Sequence, residues 1–222
     1  MSHETFDVRL KHPFTCLIAG PTGCGKTLWI ARLLKHKDIL IDPVPQNIVW
    51  FYGEYQPLYD EISQQCPGIK FVEDLPESVD EFIDKKRPNL IIIDDLMHEA
   101  DGRVARLFTK GSHHKNLSVI LVLQNFFERG KELRTISLNA HYVILFKNPR
   151  DVSVIDHLAR QIVPGRTKFL HEAYADATSR PYGYLFFDFK PEGDEGLRYR
   201  TNILPEEGGE SIVVYGLKRR NK

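Results

Sequence analysis

Ala19-Gly20-Pro21-Thr22-Gly23-Cys24-Gly25-Lys26-Thr27 decides how the rest of this chain is read. Gly20, four intervening residues and Gly25-Lys26-Thr27 make a complete P-loop. The run 14–19 before it reads as a buried strand, and 28–34 after it reads as a helix. That is the strand–turn–helix setting the motif requires. Its glycines let successive backbone N–H groups turn toward phosphate oxygens, and the helix N-terminus adds its dipole. On this reading Gly20, Pro21, Thr22, Gly23, Cys24, Gly25, Lys26 and Thr27 cradle the phosphates of ATP. Lys26 reaches the β- and γ-phosphates, and Thr27 holds Mg²⁺ through its hydroxyl.

A second signature lies downstream. Leu90-Ile91-Ile92-Ile93-Asp94-Asp95 is an aliphatic run ending in acid, the pattern of a buried parallel strand that delivers carboxylates to its carboxyl edge. Asp94 is expected to bind Mg²⁺ through water, and Asp95 to polarise the attacking water. The strand predicted over 117–123 ends in Gln124-Asn125. An amide at that rim can bond the γ-phosphate and the lytic water together. His113 and His114 lack a third ligand at metal spacing, so no zinc site is assigned.

The totals set limits. A chain of 222 residues with 42 % hydrophobic and 27 % charged residues suits one sizeable core. A formal net charge of +0 argues against a strongly basic nucleic-acid coat, though not against a local basic patch. Cys16, Cys24 and Cys66 are few, odd in number and not in metal spacing, and Cys16 and Cys24 read as small reduced residues of an intracellular compartment. No apolar run reaches transmembrane length, so no direct membrane insertion is expected.

Further elements follow from period and punctuation. Strands are expected over 47–52, 69–72, 142–146, 183–189, 197–203 and 212–215, with a short edge strand near 6–10. Helices are expected over 58–65, 102–111, 132–137, 152–162 and 169–177, and one starting at 78–83, with Asp151 as the cap of 152–162. Tyr52, Tyr55 and Tyr59 read as half-buried packing groups, with stacking on a base as the alternative. Phe126 and Phe127 read as exposed loop aromatics. The expected organisation is an N-terminal extension or edge strand (1–13), a P-loop ATPase core (14–165), a C-terminal part of the same domain (166–217) and a basic tail (218–222).

Taken together, the motifs resemble the genome-packaging ATPases of double-stranded DNA viruses and related virus-like mobile elements, in the FtsK–HerA class of P-loop motors. The resemblance rests on the P-loop, on Ile91–Leu96, on Phe108-Thr109-Lys110-Gly111-Ser112-His113-His114-Lys115-Asn116, on Leu123–Phe127 and on Phe146–Arg150. It covers 14–150 well and the C-terminal third loosely. It implies a RecA-like, mostly parallel sheet flanked by helices, with extra C-terminal strands and the Gln124 strand between the P-loop and Asp94 strands. It also implies a homo-oligomeric ring that pumps double-stranded DNA into a capsid, beside capsid or portal proteins, in the virion or at the host-cell site of assembly in nucleus or cytoplasm. The family often has glutamate where this chain has Asp95.

A ring would supply an arginine in trans. The candidates are Arg103, Arg106, Arg129 and Arg134, with Arg134 preferred because a short helix orients it. The DNA backbone would meet Arg103, Arg106, Lys110, Lys115, Arg129 and Lys131. The alternatives are a small-molecule or nucleoside kinase, a non-viral DNA translocase, and a nucleotide-regulated P-loop protein.

Overall fold

The computed structural model describes residues 6–94, 102–111, 116–126, 131–151, 153–205 and 211–216. Asp95, Lys115, Phe127, Arg129, the two histidines at 113 and 114 and the basic tail lie outside the described residues, as does the side chain of Lys110.

The P-loop strand, β2 (Thr15–Ala19), runs at the centre of a nine-stranded sheet. On one side of it lies β7 (Leu117–Leu123), then β6 (Asn89–Asp94), β4 (Asn47–Tyr52) and the edge strand β5 (Ile69–Glu73), all parallel. On the other side β8 (Tyr142–Phe146) is also parallel. Then β9 (Tyr184–Asp188), β10 (Tyr199–Thr201) and β11 (Val213–Tyr215) continue antiparallel. These are the mostly parallel sheet and the extra C-terminal strands that the resemblance implies, with the Gln124 strand between the P-loop and Asp94 strands.

Central strands are apolar along most of their length because both faces are covered. Leu17, Val49, Ile91, Val119, Leu121 and Val143 point to one face. There they meet α4 (Gly102–Arg106), α5 (Lys131–Leu138), α6 (Ser153–Ile162) and α7 (Thr167–Ala177) through Val104, Ile136, Leu158 and Leu170. Cys16, Ile18, Trp50, Ile92, Ile120 and Ile144 point to the other face. They meet α1 (Lys26–Lys35) and α3 (Leu58–Gln65) through Trp29, Leu33, Tyr59 and Ile62. The period of two along each strand thus feeds two cores. Between these helices of the second face, α2 (Lys37–Leu40) leads directly into β3 (Ile41–Asp42).

Four local expectations change. The strand near 6–10 shrinks to β1 (Leu10–Lys11), which pairs in parallel with β3 (Ile41–Asp42) outside the main sheet. Asp7 is instead occupied by Arg9 and Lys11, which bridge it to Asp42. The helix expected from 78 is a single 3₁₀ turn, Asp80–Phe82. The Asn89 side chain takes the Asp84 N–H, which ends any helix there. The basic helix over 102–111 begins as α but widens into a π turn over Leu107–Gly111. Phe126 is buried against the helical face rather than exposed. The cap on α6 is as expected: Asp151 Oδ1 accepts from the Ser153 N–H at 3.1 Å.

Candidate active site

Strand register sets the site. Ala19 pairs with Leu123, Ile93 with Leu121 and Tyr52 with Asp94, so β2, β7 and β6 end at one rim. The chain leaves β2 at Gly20, whose N–H donates to Leu123 O at 3.2 Å. A Cβ at residue 20 would lie 2.7 Å from both Cys24 Sγ and Phe146 Cβ, so only glycine fits this close approach. Gly25 caps α1 with φ of 104°, a backbone region open to glycine. Its carbonyl receives the Trp29 N–H at 2.9 Å. Helix α1 then anchors by burying Trp29, Ile30, Leu33 and Leu34, and its last turn carries Arg32 and Lys35 toward the negative end of its dipole.

The cleft above this loop measures about 250 Å³. Thr22, Gly23, Gly25, Lys26 and Thr27 form its floor, with Asp94 and Gln124 along the sheet rim. Lys26 Nζ donates to the carbonyls of Gly20 at 2.6 Å and Pro21 at 3.1 Å, folding back over its own loop. Thr27 Oγ1 lies 3.4 Å from Asp94 Oδ2. Asp94 is buried, 2 % exposed, and the same Oδ2 also accepts from the Tyr59 hydroxyl at 3.2 Å. A hydroxyl and a buried carboxylate converging at the rim form a hard-oxygen donor set that suits Mg²⁺. Half-burial raises the Cys24 thiol above its ordinary range, while Lys26 opposes the shift. The low thiolate content keeps this loop cysteine unreactive.

The structure brings Lys26, Thr27, Asp94 and Gln124 to one cleft. Gly20, Pro21 and Cys24 shape the loop beneath it. Arg134 is exposed on α5 and is not among the cleft's lining residues. Arg103 donates to Leu75 O at 3.0 Å and meets Glu77 at 3.6 Å, so a structural contact already engages it. Arg106 and Lys131 are exposed.

Sequence reasoning did not assign two residues of this neighbourhood. Of the three tyrosines expected to be half-buried, Tyr52 is so, Tyr55 is exposed and Tyr59 is fully buried, and the Tyr59 hydroxyl also holds Asp94. Its position on α3, one strand away in sequence, carries no motif. Tyr182 lies against Gly25 and lines the cleft. The signal that could have found it is an aromatic between Pro181 and Gly183, a turn context that exposes a ring.

The fold is that of a RecA-like P-loop ATPase. Among solved structures, the genome packaging NTPase B204 from Sulfolobus turreted icosahedral virus 2, in complex with AMPPCP, aligns with a TM-score of 0.52 at 13 % identity. The alignment covers 91 % of this chain and 97 % of that one. B204, the DNA-packaging ATPase from Sulfolobus turreted icosahedral virus, aligns with a TM-score of 0.50 at 14 % identity, over 80 % of this chain and 93 % of that one. The resemblance read from the motifs is thus met at the level of the fold. No family model and no curated protein matches the chain.

Proposed function

We propose that this chain is the motor ATPase of a viral genome-packaging machine, hydrolysing ATP with Mg²⁺ to drive double-stranded DNA into a capsid as a homo-oligomeric ring. One observation carries the reading: Lys26 and Thr27 at the start of α1, Asp94 at the end of β6 and Gln124 just beyond β7 line one cleft above a P-loop. The fold shared with B204, described as a DNA-packaging ATPase and as a genome packaging NTPase bound to AMPPCP, supports the choice of substrate and task.

In this reading the P-loop amides hold the phosphate oxygens, and Lys26 exchanges the Gly20 and Pro21 carbonyls for β- and γ-oxygens. Thr27 and, through water, Asp94 would hold Mg²⁺, which when bound would supply charge neutralisation. Asp95 accepts a proton from water as its oxygen attacks the γ-phosphorus. The bond from that phosphorus to the β–γ bridging oxygen breaks, and ADP and phosphate leave. Gln124 bonds both the γ-phosphate and that water, so β7 senses whether hydrolysis has occurred. Arg134 of a neighbouring subunit completes the charge field. Such a motor works in the virion or at the site of viral assembly. Among the described residues no helix is long and apolar enough to cross a membrane.

The test is phosphate release with purified protein. Lys26→Ala is expected to lose nucleotide binding or turnover. Asp95→Asn is expected to bind ATP but hydrolyse it at least about 100-fold more slowly. Equal turnover in wild type and Asp95→Asn would contradict the role given to Asp95.

A further inference from the structure

Tyr182 has no part in the chemistry above, yet it is the most conspicuous side chain beside the loop. It is 59 % exposed, and its φ of 62° places a bulky residue in the left-handed region. Such strain persists where surrounding structure imposes it, and it clusters at ligand sites. The imposing structure is visible. Gly183 follows in a tight turn where a Cβ would lie 2.5 Å from Ala177 O. On the other side the ring leans on Gly25, where a Cβ would lie 2.8 Å from Tyr182 Cδ1.

The ring lines two hollows. One is the phosphate cleft, and the other is a cavity of about 190 Å³ whose lining includes Arg32, Asp176, Arg180, Asn202 and Tyr215. Tyr182 is the residue that the two linings share among those described. The second cavity is prepared for polar contacts. The Tyr215 hydroxyl donates to Asp176 Oδ2 at 2.6 Å and so orients that carboxylate, and Asn202 is itself held at φ of 55°. An apolar ring face beside fixed hydrogen-bonding groups, bordering a phosphate cradle, matches the chemistry of a nucleoside.

We propose that the cavity beside Tyr182 receives the nucleoside of the bound nucleotide, with the base stacked on the Tyr182 ring and the ribose toward Asp176 and Asn202. This rests on the ATPase reading, since the phosphates must lie in the P-loop for the base to reach Tyr182. Stacking is tolerant of base identity because every base has a π-face. Adenine and guanine nucleotides should therefore both use the ring.

The experiment measures equilibrium binding of AMPPCP and of inorganic tripolyphosphate to the full chain. Wild type should prefer AMPPCP, because only it carries a base. Tyr182→Ala should shrink that preference about tenfold, a typical loss for one stacked base. Tyr182→Phe should keep it. Tyr182→Gly, which suits φ of 62° without strain, should shrink it equally and remain folded. An AMPPCP preference in Tyr182→Ala and Tyr182→Gly equal to that of wild type overturns the proposal, and so does the same loss in Tyr182→Phe. An unchanged preference accompanied by an altered oligomer distribution also overturns it, and assigns the ring to a subunit contact. Lys26→Ala, measured in parallel, separates the two readings. Loss of both probes there keeps the P-loop assignment whatever Tyr182 does, whereas wild-type binding of both overturns the ATPase reading itself.

Discussion

Asp94 is held by hydroxyls from two directions, Thr27 from the P-loop helix and Tyr59 from α3. Groups that orient a metal-binding carboxylate affect affinity at one remove, typically by about 10–100-fold. Tyr59→Phe keeps the packed ring and removes only the hydroxyl, so it should raise the Mg²⁺ concentration for half-maximal turnover by about tenfold while leaving thermal stability close to wild type. A Mg²⁺ titration of ATPase rate checks this. Gly25→Ala is a harsher change. It places a side chain at φ of 104° and against Tyr182, so a loss of about 1–3 kcal/mol is expected, read by urea denaturation. His12 gives the clearest pH signature. Burial, with help from Lys190, pushes its imidazole below the ordinary range near 6.5, although its bond to Asn116 opposes this. Its nitrogens meet Ser118 Oγ at 2.6 Å and Asn116 Oδ1 at 2.8 Å. Unfolded histidine therefore binds its proton at higher pH than folded histidine, so stability rises with pH across this range. The contribution is complete above the unfolded value and is lost as pH falls through the folded one. Melting temperatures from about pH 8 down to about pH 5 should fall more steeply for wild type than for His12→Gln.

At the scale of elements, the far edge of the sheet is tied by one buried ion pair. Arg200 Nη2 meets Asp188 Oδ2 at 3.0 Å, bridging β10 to β9, and its guanidinium lies 4.7 Å over the Phe186 ring. Burial pushes the Asp188 carboxyl up and the Arg200 guanidinium down, so desolvation outweighs their mutual attraction. Removing one partner strands the other. Asp188→Ala should cost about 3–5 kcal/mol in urea denaturation, while Asp188→Leu combined with Arg200→Met should recover most of it. The inner strands of this sheet were legible because each is a mainly apolar run closed by Gly, Pro or a polar residue. Asn47–Tyr52, Leu117–Leu123 and Tyr142–Phe146 fall where those boundaries stand. Two of the elements that differed are governed by side chains outside the segment itself. Asn89 ends the 3₁₀ turn from β6, and Asp42 draws the N-terminal segment away from the main sheet. The chemistry of Lys26 and Thr27 was legible from the P-loop motif, and that of Asp94 and Gln124 because each stands at the end of an apolar strand. The contacts of Tyr59 and Tyr182 were not, because they arise only when α3 and the turn before β9 fold back on the loop.

At the scale of the whole molecule, the formal net charge of +0 predicts weak DNA binding by one subunit and stronger binding by an assembled ring. If Arg134 acts across subunits, mixing Arg134→Ala protein with Lys26→Ala protein should restore part of the activity that each lacks, since mixed interfaces pair an intact P-loop with an intact arginine. Assembly is confirmed by sedimentation before the rates are compared. The central claim, that ATP hydrolysis here serves DNA movement, is tested most directly by ATPase turnover of the assembled protein with Mg²⁺ and double-stranded DNAs of unrelated sequence, repeated across a salt series. The expected result is stimulation that is the same for every sequence and fades as salt rises, because contact is through phosphates. Turnover that is indifferent to DNA in an assembled, ATP-bound ring would contradict it.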